Sequence, residues 1–378
     1  MIHLVFGLPW FYVVARTIWP LPWPDLIKVA VSIILLIASQ FQLWSRLSSG
    51  SIFNPEFPRP LILIFNLLLG SIVLMMAGQI VIDLGTLAGF VTGAKLGGFA
   101  TALRYAFGVI ALALSVLGVW QASRRPPLRE VMIYIADLPA GFEGYTIIQL
   151  TDLHISRLFT SSWAGAVVDD VNRLEPDLIV VTGDVIDGSV ARRRDDVEPL
   201  RRLHAADGIF FIPGNHEYLS GFDSWMDHLS SLGMHGLANA HAVVSRNGEK
   251  LVIAGVTDRS ARSANRELPD LEKALSGAPA GAPVILLDHE PGMANKAAAR
   301  GVAVQLSGHT HGGMVVGFDR LVARANGGYV SGLYTIGRMT LYVNNGTGIW
   351  PGFAIRLGRP SELTRISLRK ALAAGATA

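Results

Sequence analysis

The sequence contains no cysteine. A disulfide framework, a zinc site with thiolate ligands and a cysteine nucleophile are therefore excluded. Any metal ion in this protein must be held without thiolate ligands.

Charge is also scarce. Charged residues make up 16% of the chain and hydrophobic residues 51%, whereas charged residues make up about 25% of a typical globular protein. The shortage is concentrated in residues 1–123, and the remainder resembles an ordinary soluble domain in composition. This asymmetry predicts a membrane region followed by a soluble domain. The net charge of +3 is too small to indicate a nucleic-acid partner.

The first third of the chain contains apolar stretches without Lys, Arg, Asp or Glu, which predict about four membrane spans. They cover residues 2–15, 29–44, 61–82 and 105–123. The first is the shortest, and Arg16 and a Trp-Pro-rich segment typical of the membrane interface follow it. A signal peptide is the alternative for this stretch, but it lacks a basic n-region and a small-x-small cleavage site. Residues 85–102 are either a loop on the membrane or an extension of a neighbouring span.

No ionisable residue lies well inside the long apolar runs, which favours an anchor over a transport pathway. The positive-inside rule favours a multi-pass cell-membrane protein with its soluble domain on the cytoplasmic side. If the first stretch spans the membrane, the basic residues on that side are Arg46, Arg59, Arg124, Arg125 and Arg129, and those on the other are Lys28, Lys95 and Arg104.

The soluble part is organised around the segment from Val181 to Asp187. Residues 177–181 predict a buried β-strand, and Gly183-Asp184 follows at its end. Ligands bind at the carboxyl ends of strands in open α/β sheets. Alone, Asp184 would be no more than a turn or capping residue. Because other strands in the same half also end in ligand-type side chains, we predict that Asp184 lies between two metal ions.

These other strands are predicted over residues 145–150, 208–212, 283–287 and 302–306. Asp152 and His154 follow the first of them, and as alternate residues they face the same side. His309-x-His311, between glycines, is the strongest single signal, because two such histidines are rarely both core residues. Carboxylate and imidazole ligands suit a divalent cation. The remaining ligand-type residues at strand ends are Asn215, His216 and His289.

In order, these motifs resemble the motif set of the calcineurin-like metallophosphoesterases. They are Asp152-x-His154, Gly183-Asp184-x-x-Asp187, Gly214-Asn215-His216-Glu217, His289 and Gly308-His309-x-His311. The resemblance covers about residues 131–370, and residues 326–334 and 341–343 are similar to the membrane-associated bacterial phosphodiesterase branch. Two departures, Met314 and Asn344-Asn345-Gly346, involve no predicted ligand and are expected to alter the substrate rim.

The resemblance implies an α/β fold in which N-terminal transmembrane helices precede an α/β/β/α sandwich with a two-metal centre. Asp184 would bridge the ions. The donors suit manganese, iron or zinc, with manganese favoured. One ion would be held by Asp152, His154, Asp184 and His311, and the other by Asp184, Asn215, His289 and His309.

The resemblance also implies catalysis by a hydroxide that two metal ions activate. Catalytic roles fall to His216, which would protonate the leaving oxygen, and to Asp187, which would orient His216. Asn215 would also bind substrate phosphate. From the residues alone, Asp187 is equally consistent with a helix-capping carboxylate. The membrane region suggests a lipid-linked phosphodiester. The alternatives are a phosphomonoesterase, a non-catalytic metal-binding regulatory module, and a small transporter or channel regulated by the phosphoesterase domain.

The predicted organisation is a membrane region over residues 1–123, a linker over 124–130, a metallophosphoesterase domain over 131–370 and a flexible tail over 371–378. Three late strands, over residues 334–337, 340–344 and 363–368, are predicted to close a second sheet. The polar segment with Arg192-Arg193-Arg194 is either a solvated helix or loop or a basic rim for phosphate.

Overall fold

The computed structural model describes residues 2–93 and 97–371, so all but the first residue of the predicted tail lies outside the described residues. The chain divides into two compact units. A helical unit comprises Met1–Ser123 and Trp350–Leu357, and a sheet unit comprises Arg124–Ile349 and Gly358–Ala378. The short segment Trp350–Leu357 therefore leaves the sheet unit and joins the helices.

The helical unit contains five α-helices in its described part. They are α1 (Ile2–Val13), α2 (Asp25–Ser39), α3 (Phe41–Ser49), α4 (Arg59–Thr92) and α5 (Gly97–Ser123). Within the described residues, α4 and α5 are long and apolar enough to cross a membrane, and α2 and α3, bent by 51°, make a third candidate if they form one span.

The structure thus has two or three candidate spans where the sequence predicts about four. One difference lies in α1, which has 12 residues before a π-helical turn and is shorter than the ~20 residues that a span requires. With a count of two, α2, which has 15 residues, is the other. Helix α4 continues through residues 85–92, so this part of the Gly-rich stretch extends the preceding span.

The extension of α4 places Asp83 inside a helix. Its carboxylate accepts hydrogen bonds from Arg16 Nε at 3.0 Å, Arg16 Nη2 at 2.9 Å, Tyr12 Oη at 2.7 Å and Gln79 Nε2 at 2.7 Å. The sequence places no ionisable residue well inside the long apolar runs, whereas the candidate span α4 contains Asp83; its partner Arg16 lies in the π-helical turn after α1, outside the candidate spans of the described residues. The local signal was misleading because the apolar run ends at Ile82 although the helix does not.

The segment Trp350–Leu357 is held in the helical unit by polar side chains. Buried Asn66 donates through Nδ2 to the Pro351 carbonyl at 2.9 Å and accepts from the Ala354 N–H at 2.5 Å. These bonds pair backbone groups that burial would otherwise leave unsatisfied. Further hydrogen bonds join Gln42 to Gly352, Trp350 to Phe53 and Arg356 to Gly118.

The sheet unit contains two six-stranded sheets, with strand orders β1-β12-β2-β3-β4-β5 and β10-β11-β9-β8-β7-β6. The strands are β1 (Leu128–Ile135), β2 (Thr146–Leu150), β3 (Leu178–Thr182), β4 (Ile209–Ile212), β5 (His235–Gly236), β6 (Ala240–Arg246), β7 (Glu249–Gly255), β8 (Val284–Leu287), β9 (Val304–Ser307), β10 (Gly332–Ile336), β11 (Met339–Val343) and β12 (Leu363–Lys370).

The prediction that the last strand closes the second sheet is wrong. Strand β12 lies in the first sheet, parallel to β1 and antiparallel to β2. Its apolar residues show that it is half-buried, but the choice of sheet depends on backbone pairing with strands distant in sequence.

Helices cover the outer faces of the two sheets. They are α6 (Ser161–Asn172), α7 (Val190–Val197), α9 (Phe222–Ser231), α10 (Leu271–Leu275) and α11 (Ala294–Ala299). Two further helices, α8 (Asn215–Ser220) and α12 (Asp319–Ala325), contribute no described residue to the cores beneath the first five. One core, with Ile147 and Ile285, lies between the sheets. A second, with Val168 and Trp225, and a third, with Ala297, lie under the helices. The predicted α/β/β/α layering is confirmed.

Parallel pairing brings the ends of the strands together. Strands β2, β3 and β4 are parallel neighbours in the first sheet, and β7, β8 and β9 are parallel neighbours in the second. Their carboxyl ends carry the segments in which the sequence predicts ligands. The topology therefore collects these segments at one edge of each sheet.

Candidate metal centre

The loop after β3 has a backbone that side chains seldom adopt. Gly183 has φ +90° and Asp184 φ +52°. A Cβ at Gly183 would lie 2.6 Å from His289 Nδ1 and 2.7 Å from the Gly214 backbone, so only glycine fits. Four other predicted ligands also have positive φ, namely Asp152, His154, His309 and His311. Such strain costs about 1–3 kcal/mol per residue and concentrates at functional sites.

The structure brings the predicted His and Asp ligands together in three overlapping groups. Within each group the ligand atoms lie within 4.8 Å of one another. The chain can therefore hold metal ions at this place. The groups are Asp152, His154 and His311; His154, Asp184 and His216; and Asp184, His289 and His309.

The first group presents lone pairs that face one another. His154 Nδ1 lies 3.1 Å from Asp187 Oδ2, which places the ring proton there and a lone pair on Nε2. This Nε2 lies 3.2 Å from His311 Nε2, and Asp152 Oδ1 lies 3.7 Å from His311 Nε2. A cation between these acceptors satisfies all of them, so the donor set fits a divalent metal ion.

The third group has the same character. His289 Nδ1 lies 2.8 Å from the Thr182 carbonyl, so Nε2 is left as the ligand atom, 3.2 Å from Asp184 Oδ2. Asn215 Oδ1 lies 3.2 Å from that Nε2 and 3.0 Å from His309 Nδ1. The amide oxygen thus joins this group, and Asp184 belongs both to it and to the group with His154.

Asp187 lies buried behind two of the imidazoles. Its Oδ2 contacts His154, and its Oδ1 lies 2.5 Å from His216 Nδ1. Burial alone would raise the pKa of Asp187, but the two histidines outweigh it and hold the pKa below the usual range. The Asp187 carbonyl accepts a hydrogen bond from Arg193 Nε at 2.9 Å. Arg193 is fully buried, so this arginine is not part of an exposed basic rim.

His216 lies beside the predicted ligands, and its ring belongs to the group with His154 and Asp184. The sequence assigned it to proton donation alone. Its backbone N–H donates to Asp184 Oδ1 at 2.8 Å. Burial would lower the pKa of His216, but the charges of Asp184 and Asp187 outweigh it and raise the pKa to about 9. The imidazole is therefore protonated at neutral pH.

Glu217 has a positioning role that the sequence analysis missed. Its buried carboxylate accepts backbone hydrogen bonds from Gly214 at 2.7 Å, Asp184 at 3.0 Å and Val185 at 2.8 Å. It therefore ties the loop after β3 to the loop after β4. Burial and the charge of Asp184 raise its pKa to about 7, against the N–H donors of Gly214 and Val185. The sequence signal is a glutamate three residues after Gly214, as in a capping box.

The residues that depart from the resembled branch have different surroundings. Asn344 and Asn345 are buried, and Asn345 accepts a hydrogen bond from Ser331 Oγ at 2.7 Å. They are packing residues instead of the expected substrate rim. Shortly after them, Gly348 donates its N–H to the Asp152 carbonyl at 2.9 Å, which connects this loop to the first predicted ligand.

Comparison with known proteins gives consistent matches. The family model described as calcineurin-like phosphoesterase matches residues 145–313. A zebrafish transmembrane protein with metallophosphoesterase domain is 34% identical over 70% of this chain and 62% of its own. A Helicobacter pylori protein named uncharacterized metallophosphoesterase is 33% identical over 70% of both chains. The Bacillus subtilis uncharacterized metallophosphoesterase YkuE is 34% identical over 61% of this chain and 82% of its own. The match to the zebrafish relative thus covers less than two thirds of that protein.

Proposed function

Because this chain belongs to the calcineurin-like metallophosphoesterase family, we propose that it is a membrane-anchored, metal-dependent phosphodiesterase. The observation that carries the proposal is the convergence of His and Asp ligand atoms on both sides of Asp184. One divalent ion would be held by Asp152, His154, Asp184 and His311, and the other by Asp184, Asn215, His289 and His309. Manganese is the first candidate, since the donors are carboxylate, imidazole and amide groups.

Two such ions, when bound, would supply Lewis-acid activation of water and neutralise charge at phosphorus. The chain's own groups supply the rest. His216 gives its Nε2 proton to the leaving oxygen. The Asp187 carboxylate accepts a hydrogen bond from His216 Nδ1 at 2.5 Å and so holds the imidazole in its orientation. The Asn215 amide contributes to binding a phosphate oxygen.

A membrane substrate is supported by how the chain is built. Two or three helices in its described part suit a membrane, and the segment Trp350–Leu357 belongs to the helical unit. That segment begins two residues after Gly348, whose N–H bonds the Asp152 carbonyl. Phosphates that link lipid backbones to head groups are diesters, so a lipid-linked or head-group phosphodiester is the proposed substrate.

The proposed location is the cell membrane, with the sheet unit on the cytoplasmic side. The chain leaves α5 through Arg124 and Arg125, and α4 begins at Arg59. Basic residues at these helix ends favour the cytoplasmic face. Cysteine labelling of an Arg125→Cys variant in intact cells tests this, because the chain has no other cysteine. Labelling by a membrane-impermeant reagent before lysis contradicts the cytoplasmic placement.

The activity is tested on the full chain in detergent after chelation and reloading with manganese, iron or zinc. We expect hydrolysis of bis-p-nitrophenyl phosphate in preference to p-nitrophenyl phosphate, and a loss of at least about 10³-fold in Asp184→Asn, which removes a ligand of both ions. Asp137→Asn is the control, because Asp137 is exposed and pairs with Arg338 on the surface. Cleavage of the monoester alone would establish a phosphomonoesterase, and no cleavage by folded, metal-loaded protein would favour a binding module.

The lipid substrate is tested separately with phospholipid in nanodiscs against a water-soluble glycerophosphodiester of the same head group. The proposal expects faster release of the head group from the embedded lipid. Equal rates for the two substrates contradict a membrane substrate while leaving the phosphodiesterase intact.

A further inference from the structure

A cavity of about 270 Å³ lies within the helical unit. It is bounded by α2, α4 and α5 and by the turn before α2. Its wall is mostly aliphatic, with Leu35, Leu68, Met75 and Leu112 on the three helices. Such a cavity between helices accommodates a hydrocarbon chain.

Arg104 supplies a positive charge to this cavity. The side chain lines the cavity together with Thr17 and Tyr105, and its Nε donates to the Arg16 carbonyl at 3.0 Å. Of the described residues, no carboxylate forms an ion pair with Arg104, whereas Arg16 is paired with Asp83 at 2.9 Å. The terminal guanidinium nitrogens of Arg104 therefore retain donors for an anion.

Trp23 and Tyr105 line the cavity together with Arg104, and Trp19 and Lys28 belong to the turn and the helix that bound it. The Trp23 and Tyr105 rings lie 6.3 Å apart, and the Lys28 ammonium lies 5.6 Å from the Trp19 ring. Tryptophan, tyrosine and snorkelling basic residues are typical of the head-group level of a bilayer. The charged end of the cavity thus matches head-group depth, and its aliphatic part matches the hydrocarbon region.

We propose that this cavity binds an anionic phospholipid, with one acyl chain among the aliphatic residues and the phosphate group on Arg104. Basic pockets between transmembrane helices bind anionic lipid head groups in this way. The inference rests on the proposed membrane embedding of the helices but not on the catalytic activity. It is a site separate from the metal centre.

A second cavity provides an internal comparison. It has a volume of about 200 Å³ between α4 and α5, and its lining includes Val81, Gly85 and Leu103 but no charged residue of the described part. An acyl chain that enters it meets no cation. The second cavity should therefore show no preference for anionic lipid.

The test uses the full chain, purified without lipid in a neutral detergent and titrated with dioleoyl phosphatidylglycerol or dioleoyl phosphatidylcholine. Native mass spectrometry counts the bound lipids. We expect wild type to prefer the anionic lipid, and Arg104→Gln to lower that preference about fivefold, the equivalent of the ~1 kcal/mol that one arginine contributes near a membrane surface.

Two glycine variants separate the cavity from general lipid binding. A Cβ at Gly108 or at Gly85 meets no atom within 4 Å, so leucine is accommodated at both positions. Gly108→Leu fills the first cavity and should abolish its lipid occupancy, whereas Gly85→Leu fills the second cavity and should leave the anionic preference unchanged.

Several outcomes would overturn the proposal. These are equal binding of the two lipids by wild type, an unchanged preference in both Arg104→Gln and Gly108→Leu, or displacement of the lipid by inorganic phosphate, which would make the site an ion site. Alkaline extraction of membranes checks embedding independently, and hydrolysis of bis-p-nitrophenyl phosphate in parallel shows whether the phosphodiesterase proposal stands when the lipid site fails.

Discussion

Asp187→Asn tests how one buried carboxylate serves two imidazoles. Asp187 accepts from His154 Nδ1 at 3.1 Å and from His216 Nδ1 at 2.5 Å. An asparagine of the same shape has one acceptor oxygen and one NH₂ donor. It pairs correctly with only one of the two rings. If the NH₂ faces His154, that ring must shift its proton to Nε2, the atom that faces the centre. If it faces His216, that ring must lose its Nδ1 proton and keep only the one on Nε2.

The two possible failures have different magnitudes. If His154 takes the wrong tautomer, it loses its lone pair toward the metal, and affinity for manganese falls about 10–100-fold. If His216 is affected, it no longer protonates the leaving group well, and turnover falls about 10²–10⁴-fold. Removing the negative charge also lowers the pKa of His216 from about 9. The alkaline limb of the pH–rate profile should therefore move to lower pH.

The assay compares two diesters at rising manganese concentration. One diester has an alkyl leaving group and the other has p-nitrophenolate, which needs a proton less. A defect in His216 therefore lowers cleavage of the alkyl diester more than cleavage of the p-nitrophenyl diester, and excess manganese does not restore either rate. A defect in His154 lowers both equally and excess manganese restores them. Asp137→Asn is the control for a surface aspartate. If Asp187→Asn retains both activities within about twofold and an unchanged pH profile, the positioning role is refuted.

Three further predictions concern stability, measured by thermal or chemical unfolding of the full chain in detergent. Gly183→Ala should lower the free energy of unfolding by more than ~1 kcal/mol and weaken manganese binding, because the added Cβ would meet His289 and Gly214. The control is Gly248→Ala, where φ is also positive at +80° but a Cβ meets no atom within 4 Å. An equal loss of stability in the two variants would show that the contacts of the Gly183 Cβ do not matter. Asp177→Asn should cost about 1–3 kcal/mol at pH 7, since the carboxylate accepts from the Thr146 N–H at 2.7 Å and from Arg246 at 2.9 Å. These bonds hold the pKa of Asp177 below its usual value although burial opposes them. The stabilisation is therefore present above pH ~4 and is lost as the pH falls through the folded-state pKa. A difference in unfolding free energy between variant and wild type that persists in acid would contradict this. Asn66→Leu should cost about 1–3 kcal/mol, because the segment Trp350–Leu357 loses two buried backbone partners; an unchanged melting temperature would indicate that water replaces the amide.

Local patterns in the sequence were sufficient for much of the sheet unit. Short runs rich in Val, Ile and Leu, each ending in glycine and a ligand-type residue, predict strands whose carboxyl ends carry function. The strand before Asp184 is fully buried as β3, and His289 follows β8. These signals are local because a strand's burial is encoded in its own residues. The motif order then indicated the family, which the comparisons confirmed.

The membrane region shows where local hydropathy is insufficient. An apolar run marks the part of a helix that tolerates lipid, but a helix continues as long as its backbone hydrogen bonds continue. Asp83 ends the run without ending α4, and its partner Arg16 lies far away in sequence. The pair becomes recognisable only when both residues are placed in three dimensions.

The sequence by itself determined the class of the protein and predicted which strands end in ligand-type residues and what chemistry these candidate donors have, because residue type and short-range periodicity carry that information. Only the tertiary structure decided that β12 joins the first sheet, that Trp350–Leu357 belongs to the helices and that Glu217 ties two ligand loops together. Each of these depends on a contact between distant segments. A hydrophobic or polar pattern states that a residue will be buried or paired, whereas its partner is selected by the packing and hydrogen bonding of the whole fold.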